Sequence, residues 1–254
     1  MTPGEMAAVL AAGAGAGAVN AVVGSGTLIT FPVLLATGLP PVTATVSNGL
    51  GLVPGSISAV IGYREELRGQ RRRVLLLGIA AVLGGLAGAV LLLTLPESAF
   101  ERIVPVLVGL ALVLVACQPL IAKRVRRRRP AGGPARRDGG PLLFTGLTLA
   151  SVYGGYFSAA QGIIYVSLMG MLLDDTLQRF NAVKNVLAAV VNTVAAVLFL
   201  FFAEFDWTAV LLIAAGSALG GLIGARTGRR FSPAVLRTLI VSVGTVALVH
   251  LVLR

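Results

Sequence analysis

Polar side chains that could bind a solute lie inside the long apolar stretches of this chain. Asn181, Lys184, Asn185 and Asn192 occupy relative positions 0, 3, 4 and 11, which places them on one face of a helix. Amides and an ammonium are costly against lipid, so we expect this face to look toward the protein interior or a wet cavity. In the alternative for Lys184, its amine snorkels to the nearby membrane surface.

Two glycine-rich interruptions are the second candidate binding element. The first, Gly24-Ser25-Gly26-Thr27, follows Asn20, and the second runs from Gly154 to Gly162 in the other half of the chain. A helix that restarts after such a break directs free N–H groups and the positive end of its dipole at its surroundings, which suits an anion. In the alternative, the glycines only allow tight helix packing, although their polar neighbours would then be unsatisfied in lipid.

Together the helix face, the interruptions and the neighbouring polar residues give one predicted set of substrate-binding residues. These are Asn20, Gly24, Ser25, Gly26, Thr27, Ser47, Asn48, Ser56, Gly155, Ser158, Gln161, Gly162, Asn181, Lys184, Asn185 and Asn192. The chemistry that they predict is the binding of a small anion by hydrogen-bond donors.

The sequence favours neither an enzyme nor a metal or cofactor site. Ser25 lies in a Gly-Ser-Gly segment, but the single histidine, His250, is far along the chain and no G-x-S-x-G elbow is present. Cys117 has no second cysteine as a partner, which excludes an internal disulfide and a multi-cysteine metal site. We therefore predict no catalytic residues, no metal ligands and no cofactor.

The composition points to a protein embedded in the lipid bilayer. Hydrophobic residues make up 56% of the 254 residues and charged residues only 12%, about half the fraction in a soluble domain. Met6 to Tyr63 contains no charge, and as one straight helix it would measure about 87 Å against a hydrocarbon core of about 30 Å. The net charge of +11 does not indicate nucleic acid, because the cations lie in short loops between apolar runs.

Met1 to Glu5 carries no Lys or Arg, so we expect the first apolar segment to be retained.

The chain contains an internal repeat with an offset of 136 residues. Gly84, Gly85, Gly88 and Ala89 recur as Gly220, Gly221, Gly224 and Ala225, and Ser56 and Ala59 correspond to Asn192 and Ala195. We predict a first membrane repeat over residues 1–122, an Arg-rich cytoplasmic linker over 123–140 and a second membrane repeat over 141–254.

Hydropathy divides the chain into eight apolar segments. They are Met6 to Thr37, Val42 to Gly62, Val74 to Leu95, Ile103 to Ala122, Pro141 to Leu173, Phe180 to Ala203, Trp207 to Ala225 and Ala234 to Leu253. The first and fifth exceed thirty residues, and each is either one tilted crossing or a broken hairpin that enters and leaves on the same side. Only hairpins gather nearly all Lys and Arg on one face, as the positive-inside rule requires.

These observations predict an all-α polytopic membrane protein built from two inverted repeats. Each repeat has a broken, re-entrant helical hairpin and three transmembrane helices, with both termini outside. Such repeats are typical of transporters that alternate access around a mid-membrane site. No carboxylate lies deep in an apolar run, so the simplest mechanism is anion efflux driven by a membrane potential worth about 2.3 kcal/mol per charge per 100 mV. An anion channel and a non-transporting membrane scaffold are the alternatives.

The chain also resembles a known family in both halves. The first half does so through Asn20 to Gly38, Pro40 and Pro41, Thr45 to Asn48, Ser56, Tyr63 and Gly84 to Ala89, and the second through Asn181, Lys184, Asn185, Asn192, Trp207 and Gly220 to Ala225. These segments are similar to the TauE/SafE family of sulfite and organosulfonate exporters. The resemblance implies a bacterial inner-membrane permease for small sulfur-containing anions. Apart from the resemblance, a homodimer is a possible assembly. The family often has three or more glycines where this chain has Gly24-Ser25-Gly26-Thr27, so its substrate could differ.

Overall fold

The fold is known from a computed structural model, which describes residues 1–127, 140–227 and 233–252. Within these residues the chain forms ten helices and no strand. The helices are α1 (Pro3–Val22), α2 (Thr27–Ala36), α3 (Pro41–Gly62), α4 (Arg71–Thr94), α5 (Glu97–Arg127), α6 (Gly140–Tyr156), α7 (Gln161–Leu172), α8 (Leu177–Phe202), α9 (Trp207–Thr227) and α10 (Pro233–Val252). Helix α5 continues five residues into the predicted linker, and residues 128–139 of that linker lie outside the described residues.

Six helices in the described part of the chain are long and apolar enough to cross a membrane. They are α1, α3, α4, the segment Glu97–Leu120 of α5, α8 and α9. Many of their large apolar side chains face outward, such as Leu75, Val106 and Leu219, each about two-thirds exposed. Outward-facing apolar side chains on helices of this length are solvated by lipid, so the chain is a multi-pass membrane protein.

Both predicted interruptions are present. Residues 23–26 separate α1 from α2, and residues 157–160 separate α6 from α7. Helices α2 and α7 have only 10 and 12 residues and are too short to cross a bilayer alone. Helix α1, with 20 residues, is by contrast long enough for a full crossing.

The helices of the two halves pack against each other in an exchanged pattern. Helix α1 of the first half packs on α9 of the second, and α6 of the second half packs on α4 of the first. In the same way α3 packs on α9, α8 packs on α4, and α3 and α8 contact each other. Exchanging the two halves converts the α1–α9 pair into α6–α4 and the α3–α9 pair into α8–α4, and leaves the α3–α8 pair unchanged. Neither half therefore forms a separate core.

The repeated glycines lie where two helix backbones approach most closely. A Cβ atom on Gly84 or Gly88 of α4 would collide with the backbone of α6, and one on Gly220 or Gly224 of α9 would collide with the backbone of α1. Small residues allow such approach between membrane helices. The interpretation of these four glycines as packing residues is therefore confirmed.

Two loops from different halves lie at the same end of the bundle, which we call the Arg-rich end. They are the α3–α4 loop (residues 63–70) and the α7–α8 loop (residues 173–176), and an ion pair from Arg73 at the start of α4 to Asp175 joins the two halves there. Arg73 lies 2.6 Å from a carboxylate oxygen of Asp175, and Arg179 lies 2.9 Å from the other. Burial acts to raise the pKa of the Asp175 carboxyl, but hydrogen bonds from Arg73, Thr176 and Arg179 outweigh it and hold the pKa below its ordinary value.

Candidate functional site

The two interruptions contact each other through their main chains. The Gly162 N–H donates a 3.1 Å hydrogen bond to the Gly24 carbonyl. Gly24 has a φ of +85°, and a Cβ atom on it would collide with the Gly162 backbone. Glycine is therefore required at position 24 both by the backbone conformation and by the close approach.

The second interruption holds two non-glycine residues in the left-handed region. Ser158 has a φ of 67° and Ala160 a φ of 56°, conformations that cost about 1 kcal/mol or more each and persist only where the surroundings impose them. Directly before Ser158, Phe157 packs its ring edge-on against Phe31 of α2 at 5.3 Å between ring centroids. The break is thus positioned by contacts with the other half.

Lys184 of α8 is buried and bound to the end of α1. Its Nζ donates hydrogen bonds of 2.9 Å to the Asn20 carbonyl and 3.1 Å to the Ala21 carbonyl, and the side chain is 1% exposed. Asn185 Nδ2 donates to the same Ala21 carbonyl at 3.2 Å. Carbonyls at a helix C-terminus carry partial negative charge and stabilise the ammonium there. The snorkelling alternative for Lys184 is wrong.

A second group of polar side chains connects the two halves. Asn192 Nδ2 donates a 3.0 Å hydrogen bond to the Ser56 hydroxyl. The Ser158 hydroxyl lies 3.5 Å from both Asn192 Oδ1 and Gln161 Oε1. Gln161 Nε2 in turn donates to the Tyr165 hydroxyl at 2.5 Å. The polar groups of the second interruption are therefore connected to α3 of the first half.

These groups surround a small cavity of about 20 Å³, room for about one water molecule, which we call the central cavity. It is lined by Asn20, Gly24, Ser56, Ala59, Ser158, Gln161, Gly162, Lys184, Asn185, Ala188 and Asn192. Nine of these eleven are residues that the sequence predicted. The lining has one cation, several amides and hydroxyls, and no carboxylate, so it attracts negative charge and can donate hydrogen bonds to oxygen atoms.

Four of the other predicted residues, Gly26, Thr27, Ser47 and Asn48, do not line the central cavity. Asn48 Nδ2 donates to the Thr27 hydroxyl at 3.2 Å, and Asn48 also accepts a hydrogen bond from Thr30. The Gly26 N–H donates to Asn20 Oδ1 at 2.7 Å. These contacts fix the position of α2 and the first interruption. The Ser47 hydroxyl instead accepts a 3.0 Å hydrogen bond from the Asp206 N–H, at the start of α9.

Three further predicted residues also lie outside the lining. Ser25 is fully buried, and its hydroxyl has no hydrogen-bond partner among the described residues. Gly155 lies against the backbone of α4, where a Cβ atom would collide with the Gly85 carbonyl. Asn181 is 8% exposed and lies one turn before Lys184. Their side chains do not reach the central cavity.

Main-chain N–H groups at the two interruptions, which we expected to be free, are hydrogen-bonded within the protein. We expected free N–H groups to point at the centre, but the Gly26 N–H is bonded to Asn20 and the Gly162 N–H to Gly24. A buried N–H group without water must find a partner, and here the protein supplies it. The donors available to a solute in the cavity are therefore mainly side chains.

The sequence reasoning missed two residues of the lining. Ala59 lies three residues after Ser56 and Ala188 four residues after Lys184, so each shares a helix face with a predicted residue. Helical spacing alone could have found them, although an alanine carries no chemical signal.

Within the described part of the chain, no three His, Cys, Asp or Glu side chains lie close enough together to hold a metal ion.

A multi-pass helical bundle with two interruptions beside an interior polar cavity is the architecture of a membrane transporter. The model of the sulfite exporter TauE/SafE family matches residues 9–251. The chain therefore belongs to the TauE/SafE family and is a membrane transporter, not an enzyme.

Curated relatives agree with this class. The chain is 28% identical to the "Probable membrane transporter protein YfcA" of Escherichia coli (strain K12) over 233 residues, which cover 91% of this chain and 83% of that protein. It is 26% identical over 226 residues to a "Probable membrane transporter protein" of Haemophilus influenzae, covering 88% of this chain and 85% of that protein. No solved structure matches the chain.

Proposed function

We propose that this transporter exports a small sulfur-containing anion, either sulfite or an organosulfonate, through the central cavity by alternating access. The observation that carries the proposal is the Lys184 ammonium in a cavity lining that contains no carboxylate. The family model that matches the chain is described as a sulfite exporter, which supports the choice of substrate.

The side chains of the lining match the oxygen atoms of such an anion. An ammonium has three hydrogens, and Lys184 uses two of them on the carbonyls of Asn20 and Ala21, so one is left for a ligand. Side-chain amides of Asn185, Asn192 and Gln161 can donate to further oxygens. Charge-assisted hydrogen bonds are about twice as strong as neutral ones, so the Lys184 contact would dominate affinity.

Alternating access is supported by how the two halves are arranged. If the first and fifth apolar segments each crossed the membrane once, the α3–α4 and α7–α8 loops would lie on opposite faces, and the Arg73–Asp175 ion pair could not form. Two hairpins bring both loops to one face and make the repeats inverted. The exchanged helix pairs, α1 on α9 and α6 on α4, are also expected of two related halves.

The direction of transport follows from charge and orientation. We assign the Arg-rich end and the linker to the cytoplasm and the protein to the bacterial inner membrane, because positively charged loops stay inside. An interior-negative potential then drives anions outward, at about 2.3 kcal/mol per charge per 100 mV. This needs no coupled ion. A homodimer remains part of the proposal, with each chain holding its own cavity.

The test is saturable efflux of radiolabelled sulfite from proteoliposomes. Exchanging Lys184 for Met should lower that flux more than tenfold, since it removes the only cation of the lining. The matched control is Lys123→Met, which removes an exposed lysine of α5 and should leave flux unchanged. Equal flux in both variants would remove Lys184 from the site. Unsaturated conductance would support the channel alternative. The absence of both sulfite flux and sulfite binding would support the scaffold alternative.

A further inference from the structure

An apolar layer lies between the central cavity and the Arg-rich end. Tyr63, at the end of α3, is 2% exposed and packs with small residues of both halves. The members of this layer are Ala21, Ala59, Tyr63, Ala182 and Ala225, with Leu67 packed against them. Ala59 also lines the cavity, so the apolar layer begins directly at the cavity wall.

A second, charged layer centred on Asp175 lies at the Arg-rich end itself. Asp175 lies 2.6 Å from Arg73, at the start of α4, and 2.9 Å from Arg179, in the first turn of α8. The Arg179 guanidinium also donates a 3.2 Å hydrogen bond to the Arg68 carbonyl. Gln70 Nε2 lies 3.4 Å from the Arg179 carbonyl. These bonds connect the α3–α4 loop of the first half to the α8 start of the second.

The opposite end of the bundle is connected differently. There, the described side-chain contact between α3 and the start of α9 is the neutral hydrogen bond from the Asp206 N–H to Ser47. The Asp206 carboxylate instead accepts from the Ala209 N–H of its own helix. Charged hydrogen bonds are stronger than neutral ones, so the two ends are closed with unequal strength.

We propose that Tyr63, Arg73, Asp175 and Arg179 form a gate that closes the central cavity toward the Arg-rich end and must open for a solute to enter from that side. The proposal rests on the proposed function in one respect, namely that the central cavity is the transport site. We call this set of four residues the Asp175 gate.

The gate can open without leaving a buried bare charge. Asp175 and Arg179 belong to the same half and stay paired when the halves separate, because they are four residues apart at the start of α8. The bonds from Arg73 to Asp175, from Arg179 to the Arg68 carbonyl and from Gln70 to the Arg179 carbonyl break, and the Arg73 guanidinium then reaches water at the membrane surface. Breaking a buried pair completely would cost far more.

The experiment measures access to the cavity with a single cysteine reporter. Cys117 is replaced by Ser, and Ala188→Cys places a thiol in the cavity lining. The labelling rate with a membrane-impermeant methanethiosulfonate reagent is measured in membrane vesicles of both orientations. A Glu65→Cys variant, on the exposed α3–α4 loop, identifies the vesicles that expose the Arg-rich end.

Asp175→Asn should raise the Ala188→Cys labelling rate from the Arg-rich end at least fivefold. Asp175→Glu keeps the carboxylate and should stay within twofold of the parent. Asp206→Asn is the matched control at the opposite end and should not raise labelling from the Arg-rich end. Because Asp175→Asn could fail to fold, Arg73→Gln provides a second removal of the same bond, with the same expected increase.

The gate proposal is wrong if a folded Asp175→Asn or Arg73→Gln variant leaves the labelling rate at Ala188→Cys unchanged. This holds even if sulfite efflux is normal. Increased labelling supports the gate even where the protein moves no sulfite, because the reagent reports access and not flux. Failure of the gate and failure of the proposed substrate are thus separate results.

Discussion

Asn192 donates a 3.0 Å hydrogen bond to Ser56, and the two residues are 136 positions apart, which is the offset of the internal repeat. Ser56 and Asn192 are therefore the two residues that the predicted repeat aligns with each other. Their bond joins α3 to α8 at the wall of the central cavity, so both halves of the chain contribute to the candidate site.

The Ser56–Asn192 bond should appear as a coupling energy between the two positions. A buried hydrogen bond of this kind contributes about 0.5–1.5 kcal/mol. In a double-mutant cycle of Ser56→Ala and Asn192→Ala, we expect the two losses in unfolding free energy to be non-additive by a similar amount. The control cycle pairs Asn192→Ala with Ser167→Ala, because the Ser167 hydroxyl bonds to Ile163 within α7. Additive losses at Ser56 and Asn192 would contradict the bond.

Gly24 and Gly38 offer a test of the contact between the two interruptions. Both have a φ of +85°, but only Gly24 has backbone of the other half within reach of an added Cβ, while Gly38 has open space. Gly38→Ala should cost about 1 kcal/mol from conformation alone. Gly24→Ala should cost clearly more and should lower sulfite flux, since it forces the two breaks apart. Thermal unfolding in detergent measures the difference, and equal losses would count against the contact.

The helical fold and much of the site were predictable because they follow from local rules. The absence of charge over residues 6–63 required membrane helices, and glycine clusters marked both breaks. The α8 face was found from helical spacing alone, and Lys184, Asn185 and Asn192 all line the central cavity. Amides in the middle of an apolar helix avoid lipid by turning toward the protein interior.

Other features depend on long-range contacts that no local pattern contains. The sequence left open whether Lys184 snorkels or turns inward, because the answer depends on the carbonyls at the end of α1. Nothing in the residue types of Ser158 or Ala160 marks a left-handed conformation. Asn48 matched the chemistry of the site, but its bonds to Thr27 and Thr30 place it against α2.

Gly88 and Gly78 test the packing role of glycine within a single helix. Both lie in α4, but a Cβ on Gly88 would collide with the α6 backbone, whereas one on Gly78 would meet open space. Gly78→Ala should stabilise the protein by about 0.5–1 kcal/mol, because alanine has the higher helix propensity. Gly88→Ala should instead destabilise it by about 1–3 kcal/mol through overpacking. Unfolding midpoints give both signs, and stabilisation by Gly88→Ala would contradict the close approach of α4 and α6.

The ion pairs of Asp175 should make stability depend on pH in the acid range. The folded-state pKa of this carboxyl lies below its ordinary value. Burial acts to raise this pKa, but the hydrogen bonds from Arg73, Thr176 and Arg179 lower it by more. A carboxyl with a lowered folded pKa contributes stability above its unfolded value, near 3.9, and loses it as the pH falls through the folded value. The contribution is therefore complete at pH 5–8.

Asp175→Asn should cost about 1–3 kcal/mol at pH 7, because it removes charged hydrogen bonds to two arginines. The difference in unfolding midpoint between the parent and this variant should stay constant from pH 8 to about 5 and shrink below about 4. Lys123 lies outside this network, so Lys123→Met is the control. Its difference in unfolding midpoint from the parent should not shrink between pH 5 and pH 4. A stability gap for Asp175→Asn that widens toward low pH would show that the carboxyl is not held ionised by the two arginines.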